Sequence, residues 1–567
     1  MRKRKRESDQ VQPPDSILGH DPFEDLDMEW LDREEGELSM EALGHDPFED
    51  MDMEWLDQES VGAPPALAEE EGQVLPAGIE TTPISGRPLE FAAEPTIMAE
   101  MERLAPPPPP RPLETRRPTP AAPAPTRRPA ATFHFPADFK WGVATSAHQV
   151  EGNNTHNDWW AWEQKDGHVK GGHTSGLACN WWKNAEADLD RVAAMGLNAL
   201  RLSVEWSRIE PRPGTFDDGA LARYSQILQG LRERNVEPMV TLHHFTNPLW
   251  LAEQGGWENP QAGALFARFV RRTVEALGQY CDLWCTINEP NVYAYMGYLE
   301  GIFPPGRSDP KAALTVIRQL LAAHAAAYRE IHAVQPHARV GLAHNMRIFD
   351  PANPRSLLDR RAAEALDKTY NQAILIALVQ GRWTSPLGFG LAWRLRRTLD
   401  WIGLNYYTRD LVAYDPKRRE TLFHRQAETD DPELLNGGYG EFYPRGMFRC
   451  LQRLARLGLP IYVTENGIPG DDEQRPRYML THLHQMWHAL QFCYPVMGYY
   501  HWTLVDNFEW NDGWMLRFGL LALDPQTQVR TPRRSAEMYG EIARANAITP
   551  QAIDTYAPQL RAELLPG

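Results

Sequence analysis

Eight short apolar runs, separated by amphipathic stretches, restrict the fold of this chain more than any other feature of its 567 residues. Stretches such as NAEADLDRVAAMG and ALFARFVRRTVEALGQY place their apolar residues with the period of a helix. Strands that alternate with helices form parallel βα units. Eight such units predict an α/β fold, the (β/α)8 TIM barrel. The runs lie around Trp141–Thr145, Ala199–Val204, Pro238–His243, Leu283–Asn288, Val340–Ala343, Trp401–Asn405, Ile461–Thr464 and Gly498–Trp502.

A doubly wound open sheet is the alternative fold for this alternation of strands and helices. That fold carries a Gly-rich phosphate-binding sequence directly after its first strand. No such sequence follows Trp141–Thr145, which counts against the doubly wound sheet.

Two glutamates close two of the apolar runs. Glu289 lies in CTINEP and Glu465 lies in IYVTENG, and a turn-forming residue follows each of them. In a (β/α)8 barrel, catalytic groups collect at the carboxyl ends of the strands. Two carboxylates that face each other across such a mouth are the apparatus for cleaving a glycosidic bond. The pair therefore predicts a glycosidase.

Carboxylate, amide, imidazole or indole side chains follow most of the eight runs. One such residue after a strand is usually structural, but their recurrence is typical of a binding mouth. Amides and carboxylates hydrogen-bond to vicinal hydroxyls, and indole faces stack on sugar rings. The candidates, in chain order, are His148, Gln149, Glu151, Arg201, Glu205, His243, His244, Asn288, Glu289, Asn405, Tyr407, Glu465, Trp502, Glu509 and Trp510.

Composition and charge exclude several classes of protein. The net charge of -18 argues against a nucleic-acid binder, which normally has a basic surface. The five cysteines lack metal-ligand spacing and indicate buried thiols in a reducing compartment. The basic start MRKRKRESDQ has no apolar segment behind it, so we expect no signal peptide. With no long apolar run, we expect no membrane span and a cytoplasmic protein, either free or inside a protein compartment.

The first 60 residues contain one 15-residue sequence twice. LGHDPFEDLDMEWLD spans residues 18–32 and LGHDPFEDMDMEWLD spans residues 43–57. Each copy places six carboxylates around a few large apolar residues, among them Phe23 and Trp30 in the first. Such segments tend to stay disordered until they bind a partner. We therefore predict a disordered acidic arm whose repeats dock to a scaffold or shell protein. The alternative is a duplicated tail that only aids solubility.

The residues after the repeats divide into three parts. Residues 61–131 are acidic and then proline-rich, which predicts a disordered linker. Its segment APPPPPRPLETRRPTPAAPAPTRRPA favours extended polyproline II structure. Strand and helix patterns then begin, which places the catalytic barrel at 132–548 and a C-terminal tail at 549–567.

The barrel sequence closely resembles family 1 glycoside hydrolases, the β-glucosidase and β-galactosidase type. Over residues 133–548 the family's motifs occur in the family's order: ATSAHQVEG, LRLSVEWSRIEP, TINEP, LNYYT, YVTENG and HWTLVDNFEW. The resemblance implies a β-glycoside substrate and release of terminal, non-reducing β-D-glucosyl residues, with galactosyl and fucosyl residues also accepted. It implies neither a metal nor an organic cofactor.

The resemblance also implies a retaining double displacement. Glu465 matches the nucleophile and Glu289 the general acid and base. Retention requires the two carboxyl groups to lie about 5–5.5 Å apart. The charge on Glu465 would raise the pKa of Glu289, so that the acid starts protonated. Arg201 would keep Glu465 charged, Tyr407 would orient it, and Asn288 would hold the sugar 2-hydroxyl.

Sugar recognition follows from the resemblance in the same way. A carboxylate at 509 disfavours 6-phosphoglycosides, because it would repel the phosphate. The residues that match the sugar-binding set are Gln149, His244, Asn405, Trp502, Glu509 and Trp510.

The chain departs from the family pattern in places. Phe245 and His148 replace a tryptophan and a tyrosine that the family often has, and Phe245 would still supply an apolar wall. The segment between the fifth and sixth strands looks short, with few residues between Gly381 and Asp400. In the family this region helps to shape the aglycone side of the site, so the leaving-group preference stays open. Two further readings also stay open: a transglycosylase, in which a sugar intercepts the intermediate, and a weakly active carbohydrate-binding barrel recruited through the arm.

Overall fold

The computed structural model describes residues 131–418, 424–427 and 440–565. The predicted disordered arm, with its repeats at 18–32 and 43–57, lies outside these described residues. So does the proline-rich linker, apart from its last residue. Their predicted disorder and docking role therefore stay predictions from the sequence.

Eight parallel strands close into one barrel. Each strand pairs with the next along the chain, and the eighth pairs with the first. Their bounds are β1 Lys140–Ala144, β2 Ala199–Ser203, β3 Glu237–His243, β4 Leu283–Asn288, β5 Arg339–Pro351, β6 Trp401–Tyr414, β7 Ile461–Asn466 and β8 Val496–Trp502. A doubly wound sheet would leave two edge strands, so the predicted (β/α)8 barrel is confirmed.

A helical layer surrounds the barrel, with long helices after the strands. They are Trp181–Ala194, Asp218–Glu233, Ala262–Leu277, Pro310–Val334, Leu357–Asp367, Ala373–Gln380, Arg445–Ala455, Gln474–Gln491 and Arg534–Ala545. Leu357–Asp367 continues through a π-helical turn, Lys368–Gln372, into Ala373–Gln380. Helix Ala262–Leu277 shows why these segments are helical: Phe266, Phe269 and Val270 fall on one buried face while Arg271 is exposed.

Shorter elements complete the loops. The helices are Ala147–Val150, Asp158–Glu163, Trp206–Ile209, Leu249–Ala252, Pro290–Ala294 with its π-helical continuation Tyr295–Leu299, Pro550–Tyr556 and Arg561–Leu564. The 3-10 turns are Lys170–Gly172, Gly256–Glu258, Trp393–Leu395, Trp510–Asp512 and Pro558–Leu560. Paired short strands are Phe133–His134 with Ala547–Ile548, Arg382–Trp383 with Gly390–Leu391, and Leu521–Leu523 with Arg530–Pro532.

Alternate side chains of the strands belong to two apolar layers, because successive residues of a strand point to opposite faces. Val143, Leu200 and Val240 belong to the large core formed with the helices. Ala144 and Ala199 belong to a smaller cluster inside the barrel. The strands are therefore buried on both faces, which explains their continuous apolar runs.

Strands β5 and β6 continue well past the ends that the sequence predicted. Their pairing extends from Ile348↔Arg409 to Pro351↔Val412. A further strand, His424–Gln426, pairs antiparallel with the end of β6. The predicted fifth strand ended at Ala343, and the polar residues His344 and Asn345 follow it. The three strands form a ribbon that contributes to one side of the barrel mouth.

The last described residues pack against the barrel. The segment 549–567, set apart as a tail in the sequence analysis, contains two short helices. Ile553, Tyr556, Leu560 and Leu564 are buried there in the main core. Within the described part of the chain, no helix is long and apolar enough to cross a membrane.

Candidate active site

A cavity of about 440 Å³ opens at the carboxyl ends of the strands. Glu289 after β4 and Glu465 in β7 both line it, together with Tyr407, Trp502 and Glu509. The closed barrel brings these residues together, although up to 220 positions separate them in the sequence. Each of the eleven predicted site residues either lines this cavity or hydrogen-bonds to a residue that does.

Glu289 accepts two amide hydrogen bonds on the same oxygen. Nδ2 of Asn345 and Nδ2 of Asn405 each lie 2.8 Å from its Oε1. The pKa of Glu289 is raised to about 8, first because the carboxyl is buried and second because Glu465 carries a negative charge nearby. The two amides and Arg201 act in the opposite direction. Glu289 can therefore hold a proton at neutral pH.

Glu465 is held by one cation and one hydroxyl. Nη1 of Arg201 lies 2.5 Å from its Oε1, and the Tyr407 hydroxyl donates to its Oε2 at 2.8 Å. Burial raises the pKa of Glu465, while Arg201 and Tyr407 counteract that rise. Glu465 thus has a fixed orientation and a counter-ion, whereas no ion pair to Glu289 occurs among the residues that the structure describes. This setting suits a carboxylate that acts while ionised.

A network of amides connects the two carboxyl groups. Nη2 of Arg201 donates to Oδ1 of Asn288 at 2.6 Å, and Asn405 donates to the same oxygen at 3.1 Å. The Asn288 amide nitrogen lies 3.1 Å from Nε2 of His244. Burial lowers the pKa of His244 well below its usual range, and the charge on Arg201 adds to this. A neutral imidazole can accept the amide hydrogen and fix the Asn288 side chain.

Polar groups gather at another part of the cavity. Gln149 donates to Oε2 of Glu509 at 3.3 Å, and the indole of Trp502 donates to Oε1 at 3.2 Å. Burial raises the pKa of Glu509 well above its usual range. The rings of His244 and Trp502 stack at 28° with centroids 5.9 Å apart. This end combines directed hydrogen-bonding groups with aromatic faces, the two features that a sugar ring requires.

Three residues of the cavity wall have left-handed backbone conformations that are rare outside glycine. The φ angles are 71° for Phe245, 47° for Glu289 and 51° for Trp510. Each costs on the order of 1–3 kcal/mol and persists only where the surroundings enforce it. Such strain clusters at functional sites, which supports a catalytic role for this mouth. Phe245 lines the cavity as the predicted apolar wall.

Several polar residues that follow the strands serve the scaffold behind the cavity. Glu205 accepts hydrogen bonds from Asn154 and Thr246. His243 contacts Asn247 and the indole of Trp257. Glu151 pairs with Arg208, and His148 approaches Glu163 at 3.5 Å. These buried groups hold the loops in place and do not line the cavity.

The predictions from the sequence did not include Asn345 beside Glu289 or several other polar residues of the cavity wall. Asn345 lies just past the predicted end of β5, and Tyr370 donates to its Oδ1 at 2.9 Å. Arg347, Asp410 and Gln426 come from the ribbon and form one hydrogen-bonded group on the cavity wall. The polar pair His344–Asn345 after the fifth run was the available signal for Asn345; nothing in the sequence indicated Tyr370.

The fold and the paired carboxyl groups define a glycoside hydrolase, and comparison with known proteins gives the family. A family model described as glycosyl hydrolase family 1 matches residues 131–548. This chain belongs to glycosyl hydrolase family 1, the β-glucosidase and β-galactosidase type, as its sequence motifs had indicated.

Relatives and solved structures agree with that assignment. The 1,4-beta-D-glucan glucohydrolase of Thermotoga neapolitana is 31% identical over 445 residues, which cover 73% of this chain and 99% of the relative. The beta-galactosidase of Pyrococcus woesei is 31% identical over 73% of this chain and 98% of its own length. The solved beta-glycosidase of Pyrococcus horikoshii is 36% identical with a TM-score of 0.70, covering 75% and 98% of the two chains. The family 1 β-glucosidase of Thermotoga maritima is 29% identical with a TM-score of 0.71, covering 74% and 100%.

Proposed function

We propose that this enzyme releases terminal, non-reducing β-D-glycosyl residues by a retaining double displacement, with glucosides as the main substrates. The observation that carries the proposal is the different setting of the two carboxyl groups in one cavity. Glu465 is paired with Arg201 and Tyr407, whereas Glu289 has a pKa of about 8 and accepts hydrogen bonds from the amides of Asn345 and Asn405. One group is suited to attack and the other to give up a proton.

In the first step, Glu465 attacks the anomeric carbon while Glu289 protonates the departing oxygen. Both amide donors occupy Oε1 of Glu289, so the acidic proton is best placed on Oε2. The proton then lies on the oxygen that these amides leave free to meet the leaving group. Arg201 and Tyr407 hold Glu465 ready for attack from the opposite face of the sugar ring.

In the second step, water cleaves the glycosyl-enzyme intermediate. The ester no longer carries the charge of Glu465, which is one of the two causes that raise the pKa of Glu289. The pKa of Glu289 therefore falls, and the ionised carboxylate accepts a proton from the water. The same residue acts first as acid and then as base because its neighbour changes charge. A sugar hydroxyl in place of water would give transglycosylation by the same steps.

The polar end of the cavity is the proposed site for the transferred sugar. Gln149 and Glu509 would bind the outer hydroxyls, Asn288 the 2-hydroxyl, and the faces of Trp502 and Trp510 the apolar side of the ring. Two complexes of the similar Thermotoga maritima β-glucosidase, with deoxynojirimycin and with galacto-hydroximolactam, support acceptance of both glucosides and galactosides.

Two substitutions test the assigned roles separately. Glu465→Gly should abolish turnover, and azide or formate should restore it by replacing the missing carboxylate. Glu289→Ala should slow substrates with poor leaving groups far more than activated aryl glycosides, because the latter need little protonation. If azide rescued only the Glu289 variant, the two roles would be reversed. Near wild-type activity in both variants would refute the assignment.

A further inference from the structure

Three large apolar side chains are exposed close together on the segment that precedes β6. Phe389 is 59% exposed, Leu391 81% and Trp393 67%. The short strand pair Arg382–Trp383 and Gly390–Leu391 and the 3-10 turn Trp393–Leu395 carry this segment. Adjacent exposed apolar side chains with a polar surround typically mark an interaction site.

Buried leucines anchor this segment to the main core. Leu387, Leu395 and Leu399 are buried in the main core. The guanidinium of Arg318 lies 5.1 Å from the centre of the Trp383 ring, which helps to hold the strand pair. The exposed side chains therefore project from an ordered surface, and a partner would bind without having to order this backbone.

Positive charge surrounds the apolar side chains. Arg382, Arg394, Arg396 and Arg397 are exposed, and none of the four forms an ion pair with a carboxylate in the described part of the chain. No aspartate or glutamate occurs between positions 381 and 399, although the net charge of the whole chain is -18. We name residues 382–397 the arginine–aromatic face. Arginine and tryptophan are the residues that most often anchor protein interfaces.

We propose that the arginine–aromatic face binds the acidic repeat of this same chain, residues 18–32 or the near copy 43–57. Each repeat carries six carboxylates, which are opposite in charge to the four guanidinium groups of the face. Phe23 and Trp30 offer apolar area to the exposed Phe389, Leu391 and Trp393. The two surfaces thus complement each other in both charge and apolar character.

An anionic membrane is the other partner that suits exposed arginine and tryptophan. The acidic arm opposes that reading, because residues 1–131 carry most of the net charge of -18 and would be repelled by anionic lipid. A repeat on the same chain, in contrast, is always present at high effective concentration. The repeat could bind the arginine–aromatic face of its own chain or that of a second copy, because both have the same complementarity.

Direct titration tests the proposal. The probe is a fluorescent synthetic peptide with the sequence of residues 18–32, added to a chain that begins at residue 129. That shorter chain corresponds to complete relatives, since 74% of this chain covers 100% of the Thermotoga maritima enzyme. Fluorescence anisotropy should show saturable binding that weakens about 10-fold or more between about 50 mM and 500 mM salt. In the full-length chain, whose own repeats would compete, the peptide should bind more weakly.

Matched variants separate a specific surface from general charge. Replacing Arg394, Arg396 and Arg397 with glutamate should weaken peptide binding about 10-fold or more and leave glycoside turnover unchanged. A control in which the exposed Arg212, Arg355 and Arg456 become glutamate changes the net charge equally and should weaken binding less than about 2-fold.

Three results would overturn the proposal. The first is no saturable binding of the peptide. The second is an equal loss of binding in the two triple variants. The third is binding of vesicles of phosphatidylcholine with phosphatidylserine, but not of the peptide, with dependence on Arg394, Arg396 and Arg397. A peptide in which Phe23 and Trp30 are alanine should bind at least several-fold more weakly; unchanged affinity would contradict the apolar part of the interface.

Discussion

Asn345→Ala should move the basic limb of the pH profile to higher pH. The wild-type amide donates to Glu289 at 2.8 Å and stabilises the ionised carboxylate. A hydrogen bond to a charged group contributes about 1.5–3 kcal/mol, and about 1.4 kcal/mol corresponds to one pKa unit. The protonated carboxyl keeps part of that bond, so the net change should be about one unit upward.

The sign follows from the role of Glu289 as an acid. Glu289 must be protonated to act, so kcat/KM is high below its pKa and falls as the pH rises through it. The basic limb should therefore lie near pH 8 in the wild type and about one unit higher in the variant.

Measurement of kcat/KM against pH with phenyl β-glucoside provides the assay, because this leaving group needs protonation. Asn353→Ala, at an exposed asparagine, is the matched control and should leave the profile unchanged. Tyr370→Phe removes the hydroxyl that orients the Asn345 amide and should give a smaller shift in the same direction. An unchanged limb in Asn345→Ala, or one that moved to lower pH, would refute this account of how Glu289 is tuned.

Three further predictions concern stability and the arm. Glu289→Gln should lose most activity on substrates with poor leaving groups but be more stable than the wild type at pH 8. The folded pKa of about 8 lies above the ordinary 4.5, so wild-type stability from this group is lost as the pH rises between the two values. Thermal unfolding should show equal Tm near pH 4 and a Tm higher by several degrees for the variant at pH 8, and a constant difference would contradict this. Arg201→Met leaves the buried Glu465 without its cation, so we expect loss of turnover and a free energy of unfolding lower by about 3–5 kcal/mol in urea titration; a loss below about 1 kcal/mol would argue against the buried ion pair. Deletion of residues 1–130 should leave kcat/KM within a few-fold, because every proposed catalytic group lies between Gln149 and Trp510, and a large loss would show that the arm contributes to the site.

The barrel could be predicted because its strands are buried on both faces. Leu283–Asn288 was predicted with the bounds that the structure has. A short, unbroken apolar run of this kind indicates a strand that is buried on both faces. The fifth strand was predicted to end at Ala343 and continues to Pro351. Its second half belongs to the three-strand ribbon and has polar residues interspersed, and only pairing with β6 shows that it is a strand.

The candidate site divides in the same way. Glu289 and Glu465 stand in local motifs, so their positions follow from the sequence. Tyr370 comes from a π-helical turn and reaches Asn345 across 25 positions, a contact that no local pattern encodes. The arginine–aromatic face was visible only as a short segment between Gly381 and Asp400. The exposure of its apolar side chains depends on which residues pack against them in the fold, and the sequence does not show this packing.

In the proposed mechanism, Glu465 forms a covalent intermediate while Glu289 serves as acid and then base. NMR of the sugar first released from nitrophenyl β-glucoside tests it most directly. We expect the β-anomer to appear first and the α-anomer to form only by mutarotation, because two displacements restore the configuration. Initial release of the α-anomer would mean a single displacement by water and would contradict the assignment of Glu465 as nucleophile.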